Sequence, residues 1–408
     1  MSVIVGAPCQ PLQPAAPATG TNGPASALAM PPSATALLAT PLVALVVPLS
    51  GRQQALGRAV RDGFIAAQLE APVGRRFNSL FIDEARLSAA EAHRQALEAG
   101  ARVLVGPLLK ESVEALAPLA RQMAGPLPGQ IPVLALNNLA DTDPGSGGFW
   151  QFGLAPEDEA REIASRALAL GQRRALVLIP ATEWGQRLLA GFTAEFIRGG
   201  GVIVDTRTYL PGGGDLATPI RGLLLTRNVP DTSGNLAKNP GEKTVFSPGR
   251  RPDADFILLG ANSSNGRQLM PQLRFFGGAD LPTYSTSAIW DEDANGAEDL
   301  DGVIFPDCPW VIDPDGRARL VKSGIVRYQG RAALGLSRLY ALGYDAYRLL
   351  PDILRQPIPG PFASGEIPGA TGVLYADSAG RIHRRLPFAE IRGGRAVPLP
   401  AAGPIPGT

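Results

Sequence analysis

Hydroxyl, amide, ammonium and indole groups follow the apolar runs of this sequence at short distance. Ser50 and Gly51 close "LVALVVPLSG", Gly106 and Lys110 lie in "VLVGPLLK", and Asn137 and Asn138 close "IPVLALNN". Trp184 lies in "IPATEWG", Asn262 in "LLGANSSNG" and Trp290 in "TSAIW". Together with backbone N–H groups at helix starts, such side chains hydrogen-bond and stack on a small polar solute. They do not form a nucleophile and base. The patterns G-x-S-x-G, S-x-x-K, H-E-x-x-H and G-x-x-x-x-G-K-[ST] are absent from the sequence. His93 and His383 have no nearby Cys, and no carboxylate at ligand spacing. The acidic run from Asp291 to Asp301 lacks the alternation and closing Glu of a calcium loop and reads as a solvated loop. The chemistry expected is binding, with no catalytic residue, no metal and no cofactor.

The groups are useful only if the elements around them bring them together. "LVALVVPLS", "NSLFID", "ARVLVGPL" and "IPVLALNN" read as strands. They alternate with the amphipathic stretches "GRAVRDGFIAAQLEA", "AAEAHRQALEAG" and "ESVEALAPLARQMA". Continuous apolar strands separated by helices predict a parallel sheet covered on both faces. The alternation pauses at "GSGGFWQFGLAPEDEA" and restarts at "RALVLIP", which predicts a second α/β lobe. In such sheets ligands bind in the crevice beyond the carboxyl ends of the strands, where all the groups above fall. Ser50 is expected to cap the helix that follows it. Asn137 and Asn138 are turn residues by default and cleft donors by position. A long helical stretch covers residues 319–354, a strand–turn–strand unit follows around Asp377 to Gly380, and an aperiodic insertion spans 227–251.

The chain has 408 residues, 45% hydrophobic and 18% charged, enough for a sizeable core in two or three units. Its formal net charge of +1, with basic residues scattered, argues against a nucleic-acid partner. Residues 11–40 carry no charge and are rich in Pro, Ala, Thr, Ser and Gly, the composition of a flexible tether. Before the tether stands "MSVIVGAPC", a short apolar run ending at Cys9, similar to the tail of a bacterial lipoprotein signal. Cys9 is therefore the candidate lipidation site, with an unmodified thiol as the alternative.

The order of "PLSGRQQALGRAVRDGF", "VLVGPL", "WGQRLLAGFTAEFIRGGGVIV", "ADFILLGA", "GYDAYRL" and "GATGVLYADSAGRI" resembles the type I periplasmic binding proteins. "VGPLLKESVEALA", "FWQFGLAPEDEA", "GRRPDADFILLG" and "FPDCPW" resemble, within that class, the LppC or LpoA group. The resemblance implies a two-lobed α/β fold. Lobe 1 would comprise residues 41–150 and about 311–365, and lobe 2 residues 151–310 and about 366–408, behind an anchor and tether of residues 1–40. It also implies a non-catalytic periplasmic lipoprotein, anchored in the outer membrane through Cys9, whose partner is a class A penicillin-binding protein that it activates. The alternative is a solute receptor of a transporter. In amino-acid receptors of the class an aromatic residue lies over the ligand where this chain has Leu56. The serine that receives the ligand carboxylate falls at Lys110, and the acid that pairs with its ammonium falls near Ala288. Trp184 keeps the aromatic position, either as cleft lining or as packing between lobes. Lys110 is either an acceptor of an anionic solute or a solvated lysine.

Overall fold

The computed structural model describes residues 40–122, 131–139, 148–224, 251–293, 297–356 and 359–402. Cys9 lies outside the described residues, as does the 227–251 insertion apart from Arg251. The first lobe is built on β1 (Leu42–Val47), β2 (Asn78–Asp83), β3 (Ala101–Val105), β4 (Val133–Ala135) and β5 (Phe149–Gln151). These pair in the order β2-β1-β3-β4-β5, all parallel. Alternate residues of each strand enter different cores: Val43, Leu45 and Val47 on one face, Ala44 and Val46 on the other. Both faces of the sheet are therefore buried, which is why the strands are apolar throughout. The pause in the sequence at "GSGGFWQFG" conceals β5, whose three residues are too short to show a period.

The connecting helices are α1 (Gln54–Glu70), α2 (Ala89–Glu98) and α3 (Lys110–Gln122), and α4 (Pro156–Ala169) opens the second lobe. There, β6 (Arg174–Pro180), β7 (Val202–Tyr209), β8 (Phe256–Leu259), β9 (Thr283–Ser285) and β10 (Val303–Pro306) form a parallel sheet. It is covered by α4, α5 (Glu183–Arg198), α6 (Ala217–Leu224) and α7 (Ser263–Leu273).

After β10 the chain returns to the first lobe through α8 (Pro309–Ile312). The expected long helix is broken at Gly330, whose φ of +81° ends α9 (Gly316–Gln329); α10 (Ser337–Arg348) and α11 (Leu350–Arg355) follow. Helices α1 and α10 cross at a pair of glycines. A Cβ on Gly63 would lie 2.0 Å from the Tyr340 carbonyl oxygen, and one on Gly343 would lie 1.9 Å from that of Val60. Larger residues at either position would force the helices apart.

Residues 367–385 form a small antiparallel sheet, β11 (Ile367–Pro368), β12 (Val373–Ala376) and β13 (Ile382–Arg385), and Leu374, Ala376 and Ile382 join the first-lobe core. The last two strands, β14 (Phe388–Arg392) and β15 (Arg395–Leu399), make a hairpin that adds antiparallel to β10. Asp345 ties these regions together. Fully buried in α10, it accepts from the Ala370 N–H (2.8 Å), the Thr371 N–H (2.7 Å) and the Thr371 hydroxyl (2.6 Å).

Candidate functional site

The first-lobe half of the cleft is lined by loops whose polar groups mostly hold each other. Ser50 does not cap α1; the residue before that helix is Gln53, with no side-chain cap. Instead the Ser50 hydroxyl donates to Asp83 at the end of β2 (2.6 Å), and the Leu49 N–H donates to the same carboxylate (2.8 Å). Burial pushes Asp83 up, but hydrogen bonds from Ser50, Leu49 and Ala85 outweigh it and hold the carboxyl below its usual value. A capping role lost to a neighbouring carboxylate is the physical reason the local expectation fails. Gly51 adopts a φ of +72° in the turn, and Leu56 packs half-buried against the first-lobe core.

Gly106 precedes a cis bond to Pro107, and a Cβ there would lie 2.0 Å from the Val46 carbonyl oxygen. Next to it, the buried Glu84 carboxylate accepts from the Leu108 and Leu109 N–H groups (3.0 and 2.9 Å). Asn137 donates to the Leu108 carbonyl (3.1 Å) and accepts from the Asn138 N–H (2.9 Å). Lys110, at the start of α3, reaches across to the second lobe: its Nζ lies 3.0 Å from Glu183 Oε1 and 4.0 Å from Glu114. Glu183 is held below the usual carboxylate value by that lysine. Lys110 is thus a partly exposed lysine whose ammonium is paired across the cleft mouth with Glu183.

The second-lobe half is built on two helix caps. Thr182 accepts from the Gly185 N–H at the start of α5 (3.2 Å), and Asn262 accepts from the Asn265 N–H at the start of α7 (2.8 Å). Between them Trp184, Pro180, Tyr209, Pro211 and Ala288 line a mostly apolar cavity of 260 Å³. The Tyr209 hydroxyl donates to the Gly260 carbonyl (2.9 Å), and burial pushes its pKa up to about 12. Trp184 lines this cavity while packing on the helices behind it. Trp290 stands apart from that cavity, stacked on Phe305 at 6.1 Å between rings and packed against the cores of both lobes.

The lobes are also joined along a seam that the sequence reading missed. Arg338 of α10 makes a two-pronged pair with Asp307, just beyond β10 (2.9 and 2.6 Å), and donates to the carbonyls of Ser287 (2.8 Å) and Trp290 (3.1 Å). Lys322 of α9 donates to the Trp310 carbonyl (2.9 Å) and pairs with Glu292, and Arg331 pairs with Asp293 (3.2 Å). Glu292 and Asp293 of the acidic run are therefore engaged, while Asp291, Glu298 and Asp299 are exposed as expected of a solvated loop. At the hinge, the first turn of α4 supplies Asp158 and Glu159, both buried, where acidic groups are favoured by the helix N-terminus. Glu159 accepts from the Ser287 N–H (2.7 Å) and hydroxyl (2.8 Å).

His383 bridges Asp158 and Asp377, each 3.0 Å from a ring nitrogen. Burial lowers its pKa, but the two carboxylates raise it further, so the ring holds its proton above the usual value. Arg161 also approaches the ring, its Nη2 2.8 Å from the same Nδ1 that faces Asp158, and opposes the two carboxylates. The signals for this hub were "PEDEA" and "IHRR", but their pairing across more than 200 positions is not written in either stretch.

Residues 26–394 match the protein family described as "LppC putative lipoprotein". The penicillin-binding protein activator LpoA of Vibrio cholerae is 28% identical over 383 residues, which cover 90% of this chain and 60% of the activator. The chain thus spans less than two thirds of that relative's length. Among solved structures, the C-domain of LpoA from Haemophilus influenzae, described as a regulator of PBP1A, superposes with a TM-score of 0.68 at 24% identity. That match covers 88% of this chain and all of the C-domain. A "putative branched-chain amino acid ABC transporter" structure from Rhodospirillum rubrum gives a TM-score of 0.65 at 19% identity, covering 88% of this chain and all of that one.

Proposed function

This chain belongs to the LppC lipoprotein family, and from that premise we propose that it is a non-catalytic envelope lipoprotein that activates a class A penicillin-binding protein. The observation that carries the reading, against a solute receptor, lies at the mouth of the cleft. Lys110 stands where the resembling receptors accept a ligand carboxylate, and here its ammonium is matched by Glu183 of the same chain. Leu56 supports the same conclusion, since this half-buried aliphatic side chain rests against the core where receptors present an aromatic lid. Anchorage through a lipid on Cys9 and the tether of residues 11–40 belongs to the proposal. So do the cleft as a scaffold inherited without its ligand chemistry and the lobe boundaries, with residues 367–385 assigned to the first lobe, whose core Leu374, Ala376 and Ile382 join. Among the described residues no helix is long and apolar enough to cross a membrane.

The test is binding of the purified chain to the periplasmic part of the class A penicillin-binding protein of the same cell, with glycan polymerisation and cross-linking measured alongside. Saturable binding with faster synthesis is expected. The receptor alternative predicts instead a ligand-dependent rise in Tm in a metabolite screen, worth about 2.7 kcal/mol at a hundredfold excess over Kd. Such a rise, abolished by Lys110→Ala and unaccompanied by binding to the synthase, would overturn the proposal.

A further inference from the structure

The outer face of the first lobe carries a cavity of 470 Å³ that neither the cleft nor the seam uses. Ser50, Gly51 and Leu56 lie at the N-terminal end of α1, whereas this cavity lies at its C-terminal end. At 1.5 Å per residue the helix sets the two about 25 Å apart. Arg75, Phe77, Arg317, Tyr344, Tyr347 and Arg348 line it.

Two carboxylates also reach the cavity; they keep their charge, but hydrogen bonds fix both in place. Glu70 accepts from the Tyr344 hydroxyl, and Asp315 accepts from the Ala318 N–H to cap α9 (2.7 Å). The cations are less committed. Among the described residues nothing pairs with Arg75 or Arg317. Arg348 stands 5.7 Å over the Tyr344 ring and 3.7 Å from Asp345, 44% exposed. Next in sequence to the lining residues Glu70 and Pro72, Leu69 and Val73 are 61% and 79% exposed.

Guanidinium forks around aromatic faces recognise carboxylates in two-pronged geometry, and Arg and Tyr are the residues that dominate protein interfaces. An open cavity beside a chain segment that exposes two large apolar side chains suits a protein segment better than a free small acid. We propose that this cavity is a docking surface for an acidic segment of a partner protein, whose carboxylates meet Arg75 and Arg317 and whose apolar side chain covers Leu69 and Val73. Resting on the function proposed above, the partner is the penicillin-binding protein. The uncharged residues 11–40 do not complement these arginines and are not the occupant.

The experiment measures Kd between the full chain and the periplasmic part of that synthase at low and physiological salt. Arg75→Glu with Arg317→Glu is expected to weaken binding at least about tenfold and to flatten its salt dependence. Arg75→Lys with Arg317→Lys should fall in between, because charge remains while the fork is lost. Arg94→Glu, on the exposed side of α2, makes the same kind of charge change elsewhere and should leave Kd unchanged. All three are surface changes, and an unaltered Tm is the check that each has folded. If the wild type binds and the double reversal binds equally well, the docking surface is overturned while the partner stands. If the wild type does not bind at all, both fall. If the reversal instead dissolves a dimer seen by light scattering, the occupant is a second copy and the proposal is overturned.

Discussion

Arg338 and Lys110 each carry a cation from the first lobe to a carboxylate of the second, in opposite surroundings. Asp307, the partner of Arg338, is 2% exposed, and the guanidinium also satisfies two backbone carbonyls. Glu183, the partner of Lys110, has a side chain 73% exposed, and Lys110 itself is 35% exposed. Removing a partner from a buried pair strands a charge out of water, whereas water replaces a lost partner at the surface. The seam is therefore a weld and the cleft mouth a latch. The buried contacts between the lobes run along α9 and α10, and the exposed pair lies at the cleft mouth.

The largest effect should come from the weld. Arg338→Ala leaves Asp307 buried without its cation and is expected to cost about 3 kcal/mol, read from the urea midpoint. A loss below about 1 kcal/mol, the range of exposed pairs, would erase the contrast.

A second, smaller effect concerns the hinge hub behind the weld. Glu162 of α4, one turn beyond Asp158 and within its field, has its carboxyl raised by burial to about 7, against a helping Leu386 N–H and Arg385. A carboxyl raised on folding stabilises the folded state least where it must ionise, so stability should decline as pH rises from about 4.5 to 7. His383, raised as well, contributes stability that is present below its unfolded value near 6.5 and fades as pH climbs through its folded value. Both signs agree. Glu162→Gln should flatten the slope and stabilise the protein at pH 8 by at most about 3 kcal/mol. An unchanged slope in a pH series of thermal melts would remove the hub from the account.

Least affected should be the latch. Lys110→Ala is expected to leave Tm within error while raising amide exchange around residues 106–112 and 181–187. A fall in Tm to match that of Arg338→Ala would mean that both contacts are welds.

The scaffold was legible where burial writes itself into consecutive residues. "LVALVV", "VLV" and "FILL" name buried parallel strands because both of their faces are covered. The three residues of β5 carry too little pattern for that. The β14–β15 hairpin was missed although its signal was present. Gly393 and Gly394, both at positive φ, make the two-residue turn that pairs Arg392 with Arg395. The rule of strand ends led to the cleft residues, but not to their partners. Ser50 meets Asp83 across 33 positions, Lys110 meets Glu183 across 73, and His383 meets Asp158 across 225. Side-chain chemistry that depends on such pairs is a property of the fold and cannot be read locally.

The crossing of Gly63 against Gly343 bears on how the chain comes to be folded. Val60 and Phe64, fully buried beside that crossing, belong to a helix made early, and the helix that covers them is made near the end. Until α10 arrives, that face of the first lobe is open and adhesive, however complete its sheet. Contacts so distant in sequence form slowly and leave apolar surface exposed meanwhile. The first lobe thus stays incomplete until the last fifth of the chain is present, and fragments ending before residue 337 should aggregate rather than fold.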